Sequence, residues 1–371
     1  MKLAVIGRGL IGSAAARHLS AAGHDVTLIG PEEPTDFAAH DGVFASHYDE
    51  GRITRGLDPD PFWSQVSRAS IARYRDIEAQ SGVGFYHEVG VLMTGPSDHV
   101  PIRDVERIAV ETGLSSESLD DAGLKARFPY FSFPTGSLGV FEPIDAGYIN
   151  PRALVRAQCV CLNMNGGKLL KAVVQGIEDT DVCVHLQTSE GAFRFDRVLV
   201  AAGGFAEALL GKEFRLKVCA RTVALFRLGK AELQRLSAMP SHIHLTYDGL
   251  DPYYLPPIPY PDGHSYVKLG GDPVDVELGT TAEVNDWFRS GGSQEVGDFL
   301  ETLIRERIPD LKSEERILKP CVTSYTEDGM PDIRSLSKRV VVAIGGNGKG
   351  AKNSDELGRL GAEMMLGGAL E

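Results

Sequence analysis

At 371 residues the chain is too long for one simple core, and two domains are the natural reading. Its 38 Lys and Arg against 51 Asp and Glu give a net charge of −13, which argues against a nucleic-acid partner when no basic cluster is present. No run approaches the ~18–20 apolar residues of a membrane span, and five cysteines without framework spacing argue against disulfides. A cytoplasmic protein, monomeric or a small homo-oligomer, is therefore expected.

The chain opens with KLAVIG, a short β-branched run ending in glycine, which reads as a buried parallel strand. An Ala-rich helix follows and stops at Gly23, and HDVTLIG forms a second strand. Gly7, Gly9 and Gly12 fall at GxGxxG spacing between strand and helix. In that setting the first glycine permits the tight turn, the second lets a pyrophosphate approach the backbone, and the third lets helix and strand pack. The free N–H groups at the helix start hold the phosphates. Leu10 and Ile11 belong to the same turn. The acidic residue that normally ends the second strand is missing: Gly30 stands there, with Glu32 and Glu33 just beyond.

Residues 61–79 place Trp63, Val66, Tyr74 and Ile77 on one face of a single expected helix. Asn150 and Pro151 make an N-cap and first-turn pair for a helix that paired glycines end. Within it, Cys159 and Cys161 lack a second ligand pair and read as packing residues. DRVLVAAGG (196–204) is another buried strand with small residues at its end, including Ala202 and Gly203. DPYYLPPIPYPDG (251–263) reads as an ordered loop leading into a strand. RVVVAIGGNGKGAK repeats strand, glycine-rich turn and helix near residue 350. Glycine-rich strand ends at three places imply a discontinuous dinucleotide-binding domain of α/β class. A second, α+β domain built on a mixed sheet is inserted into it. The expected segments are 1–80, 145–215 and 318–371 for the first domain, 81–144 and 216–317 for the second.

Five segments in this order resemble the D-amino-acid-oxidase-like flavoprotein superfamily, in its monomeric sarcosine oxidase branch with the N-methyltryptophan and pipecolate oxidases. They are GRGLIG; SHYDEGRITR, which begins at Ser46; YVKLGG; CVTSYTED; and GNGKGAK. The resemblance covers nearly the whole chain. It implies a Rossmann-like FAD-binding domain, a small carboxylate-bearing amine as substrate and dioxygen as acceptor. Arg52 falls beside the flavin, with Arg55 and Lys352 on the substrate carboxylate, Lys268 at the oxygen-activating position and Cys321 at the covalent tether. Ser46, Gly346, Asn347, Gly348 and Gly350 fall on the cofactor-binding segments. Tyr254, beside Tyr253, falls in the loop that covers the site.

The residue types suit those roles. A guanidinium gives a carboxylate two parallel charge-assisted hydrogen bonds, and an ammonium adds a point charge. The same two cations disfavour a substrate ammonium, so the bound amine tends to the neutral form that can give up hydride. A buried lysine beside the flavin stabilises negative charge forming on dioxygen, whereas an edge-strand lysine discourages aggregation. Cys321 is a packing thiol or, with cations near it, a nucleophile. Asp272 is a pocket carboxylate, which suggests a substrate with an added polar or cationic group, or the start of a turn before Pro273. Thr323, Lys349 and Ala351 depart from the sarcosine oxidase pattern, so the amine is left open. The leading reading is an oxidase of a secondary or cyclic amino acid. A flavin dehydrogenase serving a protein partner or quinone, and a NAD(P)-dependent reductase, are the alternatives.

Overall fold

The computed structural model describes residues 1–211 and 214–368. The expected segments 145–215 and 318–371 thus include five residues (212, 213 and 369–371) outside the described ones.

Lys2–Ile6 lies inside a six-stranded sheet, with Asp25–Ile29 and then Lys168–Leu170 on one side. Arg197–Val200, Val340–Ile344 and Asp332–Ser335 follow on the other. All pairings are parallel except that of Asp332–Ser335 at the edge. Strands buried on both faces need uninterrupted apolar runs, and LAVI, VTLI and VVVAI supply them. The parallel register carries the glycine-rich ends at Gly7, Gly203 and Gly345 to one edge of this sheet. Helices Leu10–Ala21 and Gly350–Leu366 pack there with unusually close backbones. A Cβ on Gly358 would stand 2.6 Å from Ala14 Cβ and 2.7 Å from Ala15 N. Asn150 caps the helix Pro151–Met164 by accepting from Ala153 N at 2.9 Å, as its sequence predicts.

The second sheet has nine strands, all antiparallel except the pair Ser241–His244 with Val91–Pro96. Its longest pairing joins Lys217–Leu228 to Ser313–Tyr325, so the expected boundary at 317/318 falls inside a continuous strand. Lys268 lies in Ser265–Gly270, between Lys217–Leu228 and Tyr253–Pro259. An interior position removes the edge-strand explanation for this lysine.

Two local expectations are corrected. Residues 61–79 form two helices, Pro61–Ile71 and Tyr74–Ser81, because the hydrogen bonding tightens between them. Ala72 N still reaches back four residues to Arg68 O, but Arg73 N reaches only to Ser70 O. The segment expected as a loop before a strand is itself the strand Tyr253–Pro259. Pro256 and Pro257 are accommodated by a register shift between Leu255 and Ile258, where no ladder donor is needed.

Candidate active site

One cavity is lined both by the glycine turn of the first strand and by Cys321. Gly7 adopts φ +108°, and a Cβ there would stand 2.2 Å from Ala201 O. At Gly12 it would meet Gly7 O at 1.9 Å. Gly9 behaves differently, because a Cβ there would find nothing within 4 Å. The first and third glycines are thus fixed by packing, while the second faces the open space that a pyrophosphate needs.

Of the expected cofactor contacts, Gly7, Gly9, Leu10 and Ile11 line this cavity, as do Ser46, Arg52, Ala202 and Gly203. Gly346, Gly348, Gly350 and Cys321 line it as well. Gly12, Asn347 and Lys352 do not. Asn347, at φ +48°, instead ties the glycine loop to the neighbouring strand end by accepting from Thr326 N at 2.9 Å. Among the described residues, three buried polar atoms on cavity residues have no hydrogen-bond partner: His47 Nδ1, Thr323 Oγ1 and Arg8 Nη1, the last of these lying 3.5 Å from Glu32 Oε1. Burial, with Arg152, Arg8 and Arg52 nearby, pushes the His47 pKa down to about 3, so its ring is neutral. A polar, elongated dinucleotide fits these unpaired donors and acceptors.

The adenosine end lacks its usual carboxylate for a steric reason. A Cβ at Gly30 would meet Arg8 N at 2.6 Å, so no side chain fits there. Glu33 forms a two-oxygen pair with Arg152, and Glu32 pairs with Lys171 at 2.8 Å.

Around Cys321, strand register determines which side chains meet. Direct partners in a ladder share a face, and so do residues two apart along a strand. Cys321 pairs with Arg221, Val223 with Gly270 and Leu225 with Lys268, so Cys321 and Lys268 lie on one face of the second sheet. Tyr253 pairs with Gly270 on that same face, whereas Tyr254 pairs with Leu269 on the opposite one. Tyr254 accordingly stacks on His242 in the core, with ring centroids 5.3 Å apart, while Tyr253 approaches Lys268 Nζ to 5.9 Å.

Lys268 is fully buried and donates to Asp49 Oδ2 at 2.5 Å and Gly51 O at 2.7 Å. Burial and the neighbouring Arg52 push its pKa down to about 8, despite the opposing pull of Asp49. Arg52 donates to Asp49 and, at 3.4 Å, to Cys321 Sγ. Trp287 Nε1 donates to the Cys321 carbonyl at 2.8 Å, anchoring that strand under the helix Thr281–Arg289.

Arg55 and Lys352 do converge, but around a residue missed in the sequence. Asp58 is fully buried, with Lys352 Nζ 3.3 Å and Arg55 Nη2 3.5 Å from its Oδ2. Lys349 Nζ donates to Oδ1 at 2.8 Å. Burial disfavours the Asp58 anion, but Lys352, Arg55 and Lys349 outweigh it and hold its pKa at about 2. Burial likewise lowers Lys352 to about 7. Glu142 closes the cluster, accepting from Gly56 N and Leu57 N, and burial pushes it up to about 7. The signal for Asp58 was its i,i+3 spacing from Arg55, whereas Glu142 arrives from a distant strand with no local signal. Asp272 accepts from Thr222 N at 3.0 Å and does not line the cavity that Cys321 and Arg52 line. Burial raises its pKa to about 6.

The sequence model of the family "FAD dependent oxidoreductase" matches residues 2–364. The chain belongs to that family. N-methyl-L-tryptophan oxidase of Yersinia pestis (strain Pestoides F) is 30% identical over 211 residues, which is 56% of this chain and 55% of that protein. The N-methyl-L-tryptophan oxidase of Yersinia pseudotuberculosis serotype O:1b (strain IP 31758) matches to the same extent, so the match spans about half the length of these relatives. Among solved structures, a Tyr258Phe mutant of NikD, an amino acid oxidase essential for nikkomycin biosynthesis, superposes with TM-score 0.80 at 18% identity. That superposition covers 98% of this chain and 93% of NikD. L-proline dehydrogenase from P. horikoshii gives TM-score 0.76 at 16% identity, covering 99% and 94%. The Rossmann-like FAD domain and mixed second sheet are thus those of the D-amino-acid-oxidase fold, and the protein is an FAD-dependent oxidoreductase. No helix among the described residues is long and apolar enough to cross a membrane.

Proposed function

We propose that this oxidoreductase is an oxidase of a secondary or cyclic amino acid, with FAD tethered through Cys321. The amine loses two electrons and two protons to become an imine, and dioxygen takes them up as hydrogen peroxide. Bound FAD would supply the two-electron acceptor for the C–N bond. The observation that carries the reading is that Cys321 and buried Lys268 share one sheet face, with Arg52, which lines the cavity beside Cys321, bonded to the Cys321 sulfur and to the same Asp49 as Lys268.

This chain's own groups have distinct tasks in that scheme. Arg55 and Lys352 hold the substrate carboxylate, with Asp58 between them when no substrate is bound. Their positive charge favours the neutral amine. Lys268 presents its remaining N–H to the acceptor, where a fixed cation in a dry site needs no reorganisation. Of the two tyrosines expected to cover the site, Tyr253 lies on the Lys268 face and takes that role, while Tyr254 packs on His242. Asp272, bonded to Thr222 N, serves the backbone and stands outside the substrate contacts. Small amino acids with a secondary or cyclic amine, and cytoplasmic location, complete the proposal.

The second reading, a dehydrogenase, is favoured by one observation: Asp49 already compensates the Lys268 charge. The family's FAD dependence removes the nicotinamide reductase. Mixing the holoenzyme anaerobically with a panel of N-methyl and cyclic amino acids, then admitting air, separates the two. Bleaching followed by rapid reoxidation and stoichiometric peroxide supports the oxidase. Bleaching that persists in air until a dye or quinone is added supports the dehydrogenase. Failure of every carboxylate-bearing amine to bleach the flavin would overturn the substrate class.

A further inference from the structure

Beside the cavity, a fully buried lysine and a half-buried arginine share one carboxylate. Asp49 Oδ2 accepts from both Lys268 Nζ and Arg52 Nη1, while Oδ1 accepts from Tyr260 Oη at 2.8 Å and Glu50 N at 2.8 Å. Both carboxylate oxygens are therefore engaged, and Asp49 is only 6% exposed. Four donors fix its orientation, so it fixes theirs. Lys268 has spent two of its three N–H bonds on Asp49 and Gly51 O, leaving one free direction.

We propose that Asp49 is a positioning residue for the reaction with the electron acceptor: it aims Lys268, keeps it charged and cancels one of the two positive charges. The inference rests on the reading that Lys268 faces the bound flavin. With Asp49 ionised, the trio carries one net positive charge. Without it, the two cations face each other in a dry site and the lysine sheds its proton more readily than the guanidinium. The groups facing Lys268 are Asp49 and Arg52 from one segment, Tyr253 and Tyr260 from another strand and turn, and Cys321 from the long strand. Arg52 opposes the ammonium, whereas Asp49 and Cys321 support it, and Asp49 makes the direct contact. The already lowered pKa of about 8 leaves little margin once that support is lost.

The test uses holoenzyme and the variants Asp49→Asn, Asp49→Glu and Lys268→Met, each checked for fold by circular dichroism. Flavin midpoint potential is measured with reference dyes from pH 6 to 9, and the reoxidation rate by dioxygen over the same range. In that step two electrons pass from reduced FAD to dioxygen with two protons, giving oxidised FAD and hydrogen peroxide. Wild-type protein is expected to show a break in both profiles as Lys268 loses its charge. Asp49→Asn moves that break acidward by at least one pH unit and slows reoxidation at least tenfold above it. Asp49→Glu moves it in the same direction by less, which preserves the test should Asp49→Asn fail to fold. A break unmoved in both Asp49 variants, yet abolished in Lys268→Met, overturns the role of Asp49 alone. A break and rate unchanged in Lys268→Met overturn it together with the reading of Lys268.

Discussion

Lys352 Nζ stands 3.3 Å from Asp58 Oδ2 inside the protein, and neither group meets solvent appreciably. Among the described residues Oδ2 has no hydrogen-bond donor, and Lys352 and Arg55 hold it by charge. Its position marks where a carboxylate oxygen is welcome.

The first prediction concerns pH. Lys352 is lowered to about 7 chiefly by burial, so it attracts an anion below that pH and loses its charge above it. Glu142, raised to about 7, gains negative charge over the same range and adds repulsion. Both effects weaken binding of a carboxylate ligand as pH rises through about 7. A bound anion favours the ammonium, so the inflection in the complex lies higher than in the free protein. Titrating the flavin spectrum with a non-oxidisable carboxylate checks this. Glu142→Gln should retain the Lys352 contribution, and Lys352→Met should flatten most of the profile.

Asp58→Asn separates stability from binding. Removing one partner of a buried ion cluster leaves uncompensated charge, at a cost of ~3–5 kcal/mol. The melting temperature should therefore fall. The freed cations should nevertheless bind a carboxylate ligand about tenfold more tightly, ~1.4 kcal/mol. Weaker binding in a folded Asp58→Asn protein would mean that Asp58 organises the clamp and does not compete with the ligand.

How much of this was legible in the sequence depends on distance along the chain. The glycine turns could be read because strand, turn and helix are local, and Gly7, Gly203 and Gly345 do gather at one sheet edge. Arg55, three residues after Arg52, was recognised through its motif, but Glu142, which binds the backbone of Gly56 and Leu57 beside it, lies on a strand whose approach no local pattern announces. The choice between Tyr253 and Tyr254 turned on strand phase. That phase is set by pairing with Ser265–Gly270, and two prolines concealed the strand altogether. The break after Ile71 was hidden for a related reason, because the apolar spacing continues across it while the hydrogen bonding does not.

The glycine turn yields a contrast that packing alone decides. Gly7→Ala puts a methyl 2.2 Å from a backbone carbonyl at φ +108°, so the apoprotein should be destabilised or fail to fold. Gly9→Ala meets no protein atom within 4 Å, and its apoprotein should melt within a degree or two of wild type. Flavin retention should nonetheless fall at least tenfold, because the methyl occupies the approach of the pyrophosphate. Thermal melts of apoprotein and flavin content after desalting measure the two effects.

Cys321 provides the last prediction. Its thiol lines the cavity, and Arg52 Nη2 donates to its Sγ at 3.4 Å, which holds the sulfur in a fixed direction. Its carbonyl is fixed by Trp287, so the strand cannot slide away from the cavity without breaking that bond. Acid precipitation should therefore carry the yellow flavin into the pellet for wild type and leave it in the supernatant for Cys321→Ala. Arg52→Met, which keeps bulk but removes the cation, should slow tether formation during reconstitution of apoprotein with FAD while leaving Cys321 in place. Flavin in the wild-type supernatant would make Cys321 a packing residue on the cavity wall, with FAD held by the glycine turns alone.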